Sequence, residues 1–195
     1  MVFITPASSN SLNRLGRAAC LCALLLLPLS LPAAEFRISD VQVRLHSQVY
    51  LLDANIDYTF SPEALEALHN GVPLTIRIAI DIELPRRWLW NETLANLEQV
   101  LRVQYHALSD QYVLQNLNSG ARYAYHSRAA ALEAMGRLRD FPLLDEPLLS
   151  TEQEYLVRLQ ARLDIESLPS PLRPIAYISP AWRLKSDWYR WSFTP

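Results

Sequence analysis

From residue 36 onward, apolar and polar side chains alternate along much of the chain, which is the signature of half-buried β-strands. Between 74 and 84, Leu74, Ile76, Ile78, Ile80, Ile82 and Leu84 share one face, while Thr75, Arg77, Asp81 and Glu83 share the other. Burying six such side chains is worth roughly 9–18 kcal/mol gross, at about 1.5–3 kcal/mol each. Fixing each backbone unit costs ~1–2 kcal/mol, so this strand forms only within a sheet. The same period recurs at Ala54, Ile56, Tyr58 and Phe60, at Leu101, Val103, Tyr105 and Ala107, and along Tyr155, Val157, Leu159, Ala161, Leu163 and Ile165. An opening strand over 36–46 changes phase at Ser39-Asp40, which predicts a bulge.

Turn residues place several of these strands side by side. Ser109-Asp110 separates the 100–108 strand from QYVLQNL, and Asn118-Ser119-Gly120 separates that from ARYAYH, giving an antiparallel meander. One polar face per strand suits antiparallel sheets with one wetted side, so Asp53, Asp57, Arg77, Asp81 and Glu83 are expected at a solvated face. Two short helices interrupt. SPEALEALHNG starts with Ser61 as N-cap and Pro62 in the first turn and stops at Gly71. SRAAALEAMGRLRD predicts a second helix over 127–140, capped by Ser127, with Leu132, Met135 and Leu138 near one face. FPLLDEPLLS then reads as an irregular crossing. LPSPLRPIAYISP, with Pro169, Pro171, Pro174 and Pro180, reads as neither helix nor central strand, and a short strand is expected at 188–193. The fold class is α+β and mainly β: about eight strands in antiparallel sheets, in a two-layer, sandwich-like arrangement with two short helices.

The order LDANIDYTFSPEALEALHNGVPL, then PRRWLW, then YHALSDQYVL, then a proline-leucine segment and a tail with spaced tryptophans, resembles the domain-of-unknown-function 4390 family of exported proteins from Gram-negative proteobacteria. The resemblance runs from about Phe36 to Phe193. It implies a cell-envelope location and a single domain. That family has no established activity, so the resemblance carries no catalytic or binding residue with it.

The first 34 residues read as an export signal. Arg14 and Arg17 supply positive charge, Ala18–Leu31 is apolar, and Pro32-Ala33-Ala34 offers small residues before Glu35. The apolar run is shorter than the roughly 20 residues of a spanning helix and contains Pro28. The expected product is a periplasmic domain spanning 35–195; an uncleaved inner-membrane anchor through 18–31 is the alternative. Both cysteines, Cys20 and Cys22, lie in this segment, leaving no thiol, disulfide or cysteine-bound metal in residues 35–195. That part carries 16 cations against 20 carboxylates, a formal charge of −4. This balance argues against a nucleic-acid partner.

Catalytic signatures are missing. No G-x-S-x-G elbow, S-x-x-K pair, Walker loop or dinucleotide fingerprint occurs, and the chain has four glycines. His46, His69, His106 and His126 are scattered without a metal-ligand spacing, so neither metal nor cofactor is expected. Asp53 with Asp57, and Asp81 with Glu83, are carboxylate pairs on single strand faces, a pattern that serves acid–base work only when burial separates their pKa values; cross-strand ion pairing is the simpler role. What stands out is basic–aromatic. Arg86, Arg87, Trp88 and Trp90 follow Pro85, and Trp182, Arg183, Trp188, Arg190 and Trp191 crowd the tail. Such residues can close the ends of a core through cation–π stacking, or form an interface, where tryptophan and arginine dominate binding energy. The sequence thus points to a non-enzymatic module that binds an envelope protein or lipid headgroup through these nine residues. Its alternatives are a hydrolase with a dispersed polar site and a membrane-tethered accessory of a sensor or transporter.

Overall fold

The computed structural model describes residues 35–86 and 90–195, all within one compact unit, Ala34–Pro195. Among these residues are nine strands, three α-helices and three 3₁₀ turns. A three-stranded antiparallel sheet has the order β1-β2-β7, formed by β1 (Phe36–His46), β2 (Val49–Tyr58) and β7 (Arg137–Asp145). A six-stranded antiparallel sheet has the order β6-β5-β4-β3-β8-β9, formed by β3 (Leu74–Leu84), β4 (Glu92–His106), β5 (Gln111–Asn116), β6 (Arg122–Tyr125), β8 (Tyr155–Leu163) and β9 (Tyr189–Phe193). Helix α1 is Pro62–His69, α2 is Arg128–Met135 and α3 is Arg173–Ile178.

The period-two reading holds along β3, where Ile76, Ile78, Ile80 and Ile82 are fully buried. Both sheets feed a single buried cluster: Leu52, Ala54 and Ile56 from β2, Leu138 and Leu143 from β7, the β3 isoleucines, and Val157, Leu159 and Ala161 from β8. Where the sheets approach, the rings of Tyr50 and Phe193 lie 5.5 Å apart, and Phe36 bridges to Ser186. The Ser39-Asp40 bulge is present: the β1–β2 register slips between Ser39 and Gln42, with Asp40 at φ 51° and its carboxylate accepting from Asn55 Nδ2 at 2.8 Å. Ser47 and Gln48, both at positive φ, make the two-residue turn between β1 and β2. The expected caps also form, Ser61 accepting from Ala64 N and Ser127 from Ala130 N, each at 3.2 Å.

The helix predicted over 127–140 is too long. Helix α2 stops at Met135, and residues 137–145, including the first half of the segment read as an irregular crossing, form β7 beside β2. The cause is Gly136: its carbonyl accepts from Ile56 N at 2.8 Å, and a Cβ on Gly136 would lie 2.1 Å from the Ile56 carbonyl oxygen. The chain therefore leaves the helix by pressing its backbone against β2. The proline-rich segment is also not free of helix. Pro174 sits in the first turn of α3, where its missing N–H has no helical acceptor to satisfy. Finally, the polar face of β3 is not uniformly wet. Thr75 is 1% exposed and Glu83 is likewise buried: the 3₁₀ turn Ile165–Ser167 packs on β3 and Arg102 Nε donates to the Thr75 hydroxyl at 3.3 Å, while Arg158 and Asn91 hold the Glu83 carboxylate.

Register fixes which features share an end of the domain. Leu84 pairs with Glu92, Glu83 with Leu156, and Tyr155 with Phe193, so the β3–β4 hairpin end and the close of β9 coincide. Tyr50, packed on Phe193, brings the β1–β2 turn there, and Glu146 N donating to Gln48 O at 2.7 Å adds the 3₁₀ turn Glu146–Leu148. The opposite end holds Phe36, α1 and the segment 164–186.

Candidate functional site

The nine basic and aromatic residues singled out from sequence do not form one patch. Arg87 and Trp88 lie outside the described residues. Arg86 and Trp90 stand at the hairpin end of β3 and β4: Arg86 is exposed and ion-paired with Glu92, and Trp90 is 92% exposed. Leu45, Leu94 and Leu148 are exposed around the same end. Pro85 explains the geometry, since a residue without an N–H cannot extend the β3 ladder, which ends at Leu84 paired with Glu92.

The tail residues separate by function. Trp182 belongs to the 3₁₀ turn Pro180–Trp182 and is 6% exposed, part of the core rather than a surface. Its neighbour Arg183 points to solvent and donates to Tyr177 O at 3.2 Å. In β9, Trp191 opposite Val157 leans on the core, while Arg190 opposite Arg158 lies on the outer face. Adjacent residues of a strand face opposite ways, so Arg190 and Trp191 do not stack. The described cation–π pair is instead Arg158 with Trp188, the guanidinium carbon 5.1 Å from the ring centroid.

Arg158 anchors a charged ladder across the outer face of the larger sheet. Its Nη2 reaches Asp81 Oδ2 at 2.8 Å and Glu83 Oε1 at 2.6 Å. Asn96 Nδ2 donates to Asp81 at 2.7 Å and Asn91 Nδ2 to Glu83 at 2.9 Å. Arg158 Nε finds no acceptor among the described residues, in keeping with a guanidinium lying over the Trp188 ring. Farther along β3, Arg77 joins Glu98 and Asp164, each at 2.8 Å. Burial alone would raise the Asp164 pKa, but hydrogen bonds from Ser167 and Arg77, with the Arg77 charge, hold it below its ordinary value. The carboxylate pair Asp81/Glu83 thus serves cross-strand ion pairing, as the simpler reading expected, with Arg158 rather than Arg77 as the cation.

A shallow cleft of about 230 Å³ lies where the start of β1 meets the approach to β9, lined by Glu35, Phe36, Arg37, Ile38, Ser186, Asp187, Trp188 and Tyr189. Small-molecule sites are generally larger, roughly 300–1,000 Å³. Among the described residues no group of three or more His, Cys, Asp or Glu side chains is placed to hold a metal ion, and no helix is long and apolar enough to cross a membrane. His69 stacks on Tyr105 with centroids 5.3 Å apart.

Two features escaped the sequence. The Arg158–Trp188 pair was within reach, because Trp188 shares strand parity with Arg190, which faces Arg158. The exposed apolar side of α3 was hidden by the prolines that argued against a helix there. No curated protein and no solved structure matches the chain. The family model described as a domain of unknown function, DUF4390, matches residues 33–192, and with the two antiparallel sheets accounted for across that span the chain belongs to this family.

Proposed function

We propose that this is a non-enzymatic binding module of the bacterial cell envelope, exported by its N-terminal segment and stacked as a two-layer β-sandwich whose hairpin end engages an envelope protein. The observation that carries the reading is Trp90, almost wholly exposed beside Arg86. Leaving an indole in water forgoes roughly 1.5–3 kcal/mol or more of burial, and tryptophan and arginine are the residue types that dominate interface energetics. Leu45, Leu94 and Leu148 are further exposed apolar residues toward the same end of the domain. The stacked-layer arrangement is supported by the common core and the Tyr50–Phe193 contact.

Affinity capture from envelope extracts tests this. A partner retained by the wild type and by Tyr123→Ala, an exposed change on the edge strand β6, should be lost by the Arg86→Glu/Trp90→Ala double variant. Identical partners for all three proteins would overturn the proposal.

A further inference from the structure

Four strands form the outer edges of the two sheets, and three of them are blunted against pairing with a foreign chain. β1 bulges between Ser39 and Gln42, and its first residue is bridged to Ser186. β7 carries Pro142 and slips register twice against β2. β6 has four residues, and α2 packs on it. β9 has none of these devices. Tyr189–Phe193 follows β8 in unbroken register, without proline or bulge, and pairs on one side only. Alternate N–H and C=O groups along it therefore point away from the sheet.

The chain falls out of step with β8 just before this strand. Ser186 N bonds to Ala161 O while Tyr189 pairs with Leu159, so the approach to β9 holds one residue more than β8 does. An extra residue bends a strand, and the cleft of about 230 Å³ opens here, between Phe36–Ile38 of β1 and Asp187–Tyr189. Past the Phe36–Ser186 bridge, no backbone pairing joins β1 to β9 among the described residues. The two faces of β9 differ. On the inner face Tyr189 is 38% exposed, its ring 5.9 Å from that of the half-buried Trp191. On the outer face Arg190 stands directly opposite Arg158, whose guanidinium is already held by Asp81 and Glu83. Like charges facing each other across a ladder are destabilising, and Arg190 joins no ion pair among the described residues. The cleft's own carboxylates, Glu35 and Asp187, lie at its bridged end, before the step in register.

We infer that the open edge of β9 accepts an extended segment of a partner protein, with an acidic residue opposite Arg190 and apolar residues on either side of it. The backbone of the added strand bonds to Tyr189–Phe193. Its carboxylate lies on the outer face and supplies the counter-charge that Arg190 lacks. The flanking side chains fall on the inner face, because neighbours along a strand point opposite ways. There they cover Tyr189 and Trp191 and reach into the cleft beside Phe36. The cleft is small for a free ligand but suits such side chains. In strand addition the ladder supplies affinity and the alternate side chains supply specificity. The hairpin-end surface plays no part in this contact, so either reading can fail without the other.

Selection from a displayed library of random heptapeptides tests the inference, with the full-length chain, Arg190→Glu and Arg86→Glu/Trp90→Ala each as bait. The wild type and the hairpin-end double variant are expected to enrich one pattern, apolar–acidic–apolar, and Arg190→Glu to enrich a basic residue at the central position. No enriched pattern with the wild type, or one that Arg190→Glu leaves unchanged, would overturn the inference. A synthetic heptapeptide with valines flanking a central glutamate gives a second reading that needs no protein variant. Lysine in place of the glutamate should weaken binding about fivefold. N-methylation of alternate amides should abolish binding in one phase and spare it in the other; both phases behaving alike would exclude a ladder. With the glutamate peptide bound, hydrogen exchange should slow at 189–193 and stay unchanged at 122–125, and the opposite result would place the peptide on the wrong edge.

Discussion

Gly136→Ala is the sharpest probe of the junction where α2 gives way to β7 against β2. Gly136 has φ −75°, so alanine meets no torsional objection; the obstacle is space. An added Cβ would lie 2.1 Å from the Ile56 carbonyl oxygen, and relieving it even to 3.0 Å parts the two backbones by about 0.9 Å. That movement stretches the Ile56 N–Gly136 O hydrogen bond, now 2.8 Å, beyond useful length. Overpacking against backbone costs ~1–3 kcal/mol, and an orphaned buried amide another ~1–3 kcal/mol. The sum, roughly 2–6 kcal/mol, is a large share of the 5–15 kcal/mol typical of a domain. With a urea m-value of about 2 kcal/mol/M, the midpoint falls by ~1–3 M. Gly120→Ala is the internal comparison. Gly120 has φ +79° and nothing near its absent Cβ, so it loses only the left-handed preference, ~1 kcal/mol or about 0.5 M. A Gly136→Ala protein with a midpoint at or above that of Gly120→Ala would refute the close β2 contact and the place where α2 gives way to β7.

Further expectations follow from the charged ladder and the core. Arg158→Met should cost about 2–3 kcal/mol by urea titration, because it strands two mostly buried carboxylates, Asp81 and Glu83; adding Asp81→Asn and Glu83→Gln should restore at least part of the loss, and strict additivity would disprove the coupling. Asp164 has a depressed pKa in the fold, so its stabilisation is present above about pH 4 and drains away as pH falls through the lowered value. Asp164→Asn should therefore be less stable than wild type at pH 7, with the gap narrowing below about pH 4; a gap independent of pH would contradict this. Ile78→Asp should abolish soluble folding, while Arg122→Asp on the exposed edge strand is tolerated, as measured by yield and far-UV circular dichroism. Thr75→Asp should behave like the core change, being buried beside Asp164.

The strands were legible where one face is purely apolar. Leu74–Leu84 could be read to the residue, and the Ser39-Asp40 phase slip marked a real bulge. What sequence missed has a physical pattern. Residues 128–135 and 137–139 carry good helix formers on either side of Gly136, a poor one, and the contact of Gly136 with a strand 80 positions earlier ends the helix there. Tertiary packing overrides local propensity there. Prolines misled in the other direction at Pro174, because a proline in the first helical turn removes no bond. Alternation located polar residues on one face but not what covers that face, so Thr75 and Glu83 were expected in water and lie under the 164–167 turn and the Arg158 network. The basic–aromatic residues were visible by type; sorting them into core (Trp182), sheet face (Trp188) and open surface (Trp90) required register and burial.

The measurement that bears most directly on the binding-module reading is photo-crosslinking in intact cells, with p-benzoylphenylalanine in place of Trp90 in the full-length chain. A discrete crosslinked species is expected from position 90, weakened by Arg86→Glu and absent when the probe replaces Tyr123. No crosslink at 90, or the same species from 123, would contradict a hairpin end built for recognition.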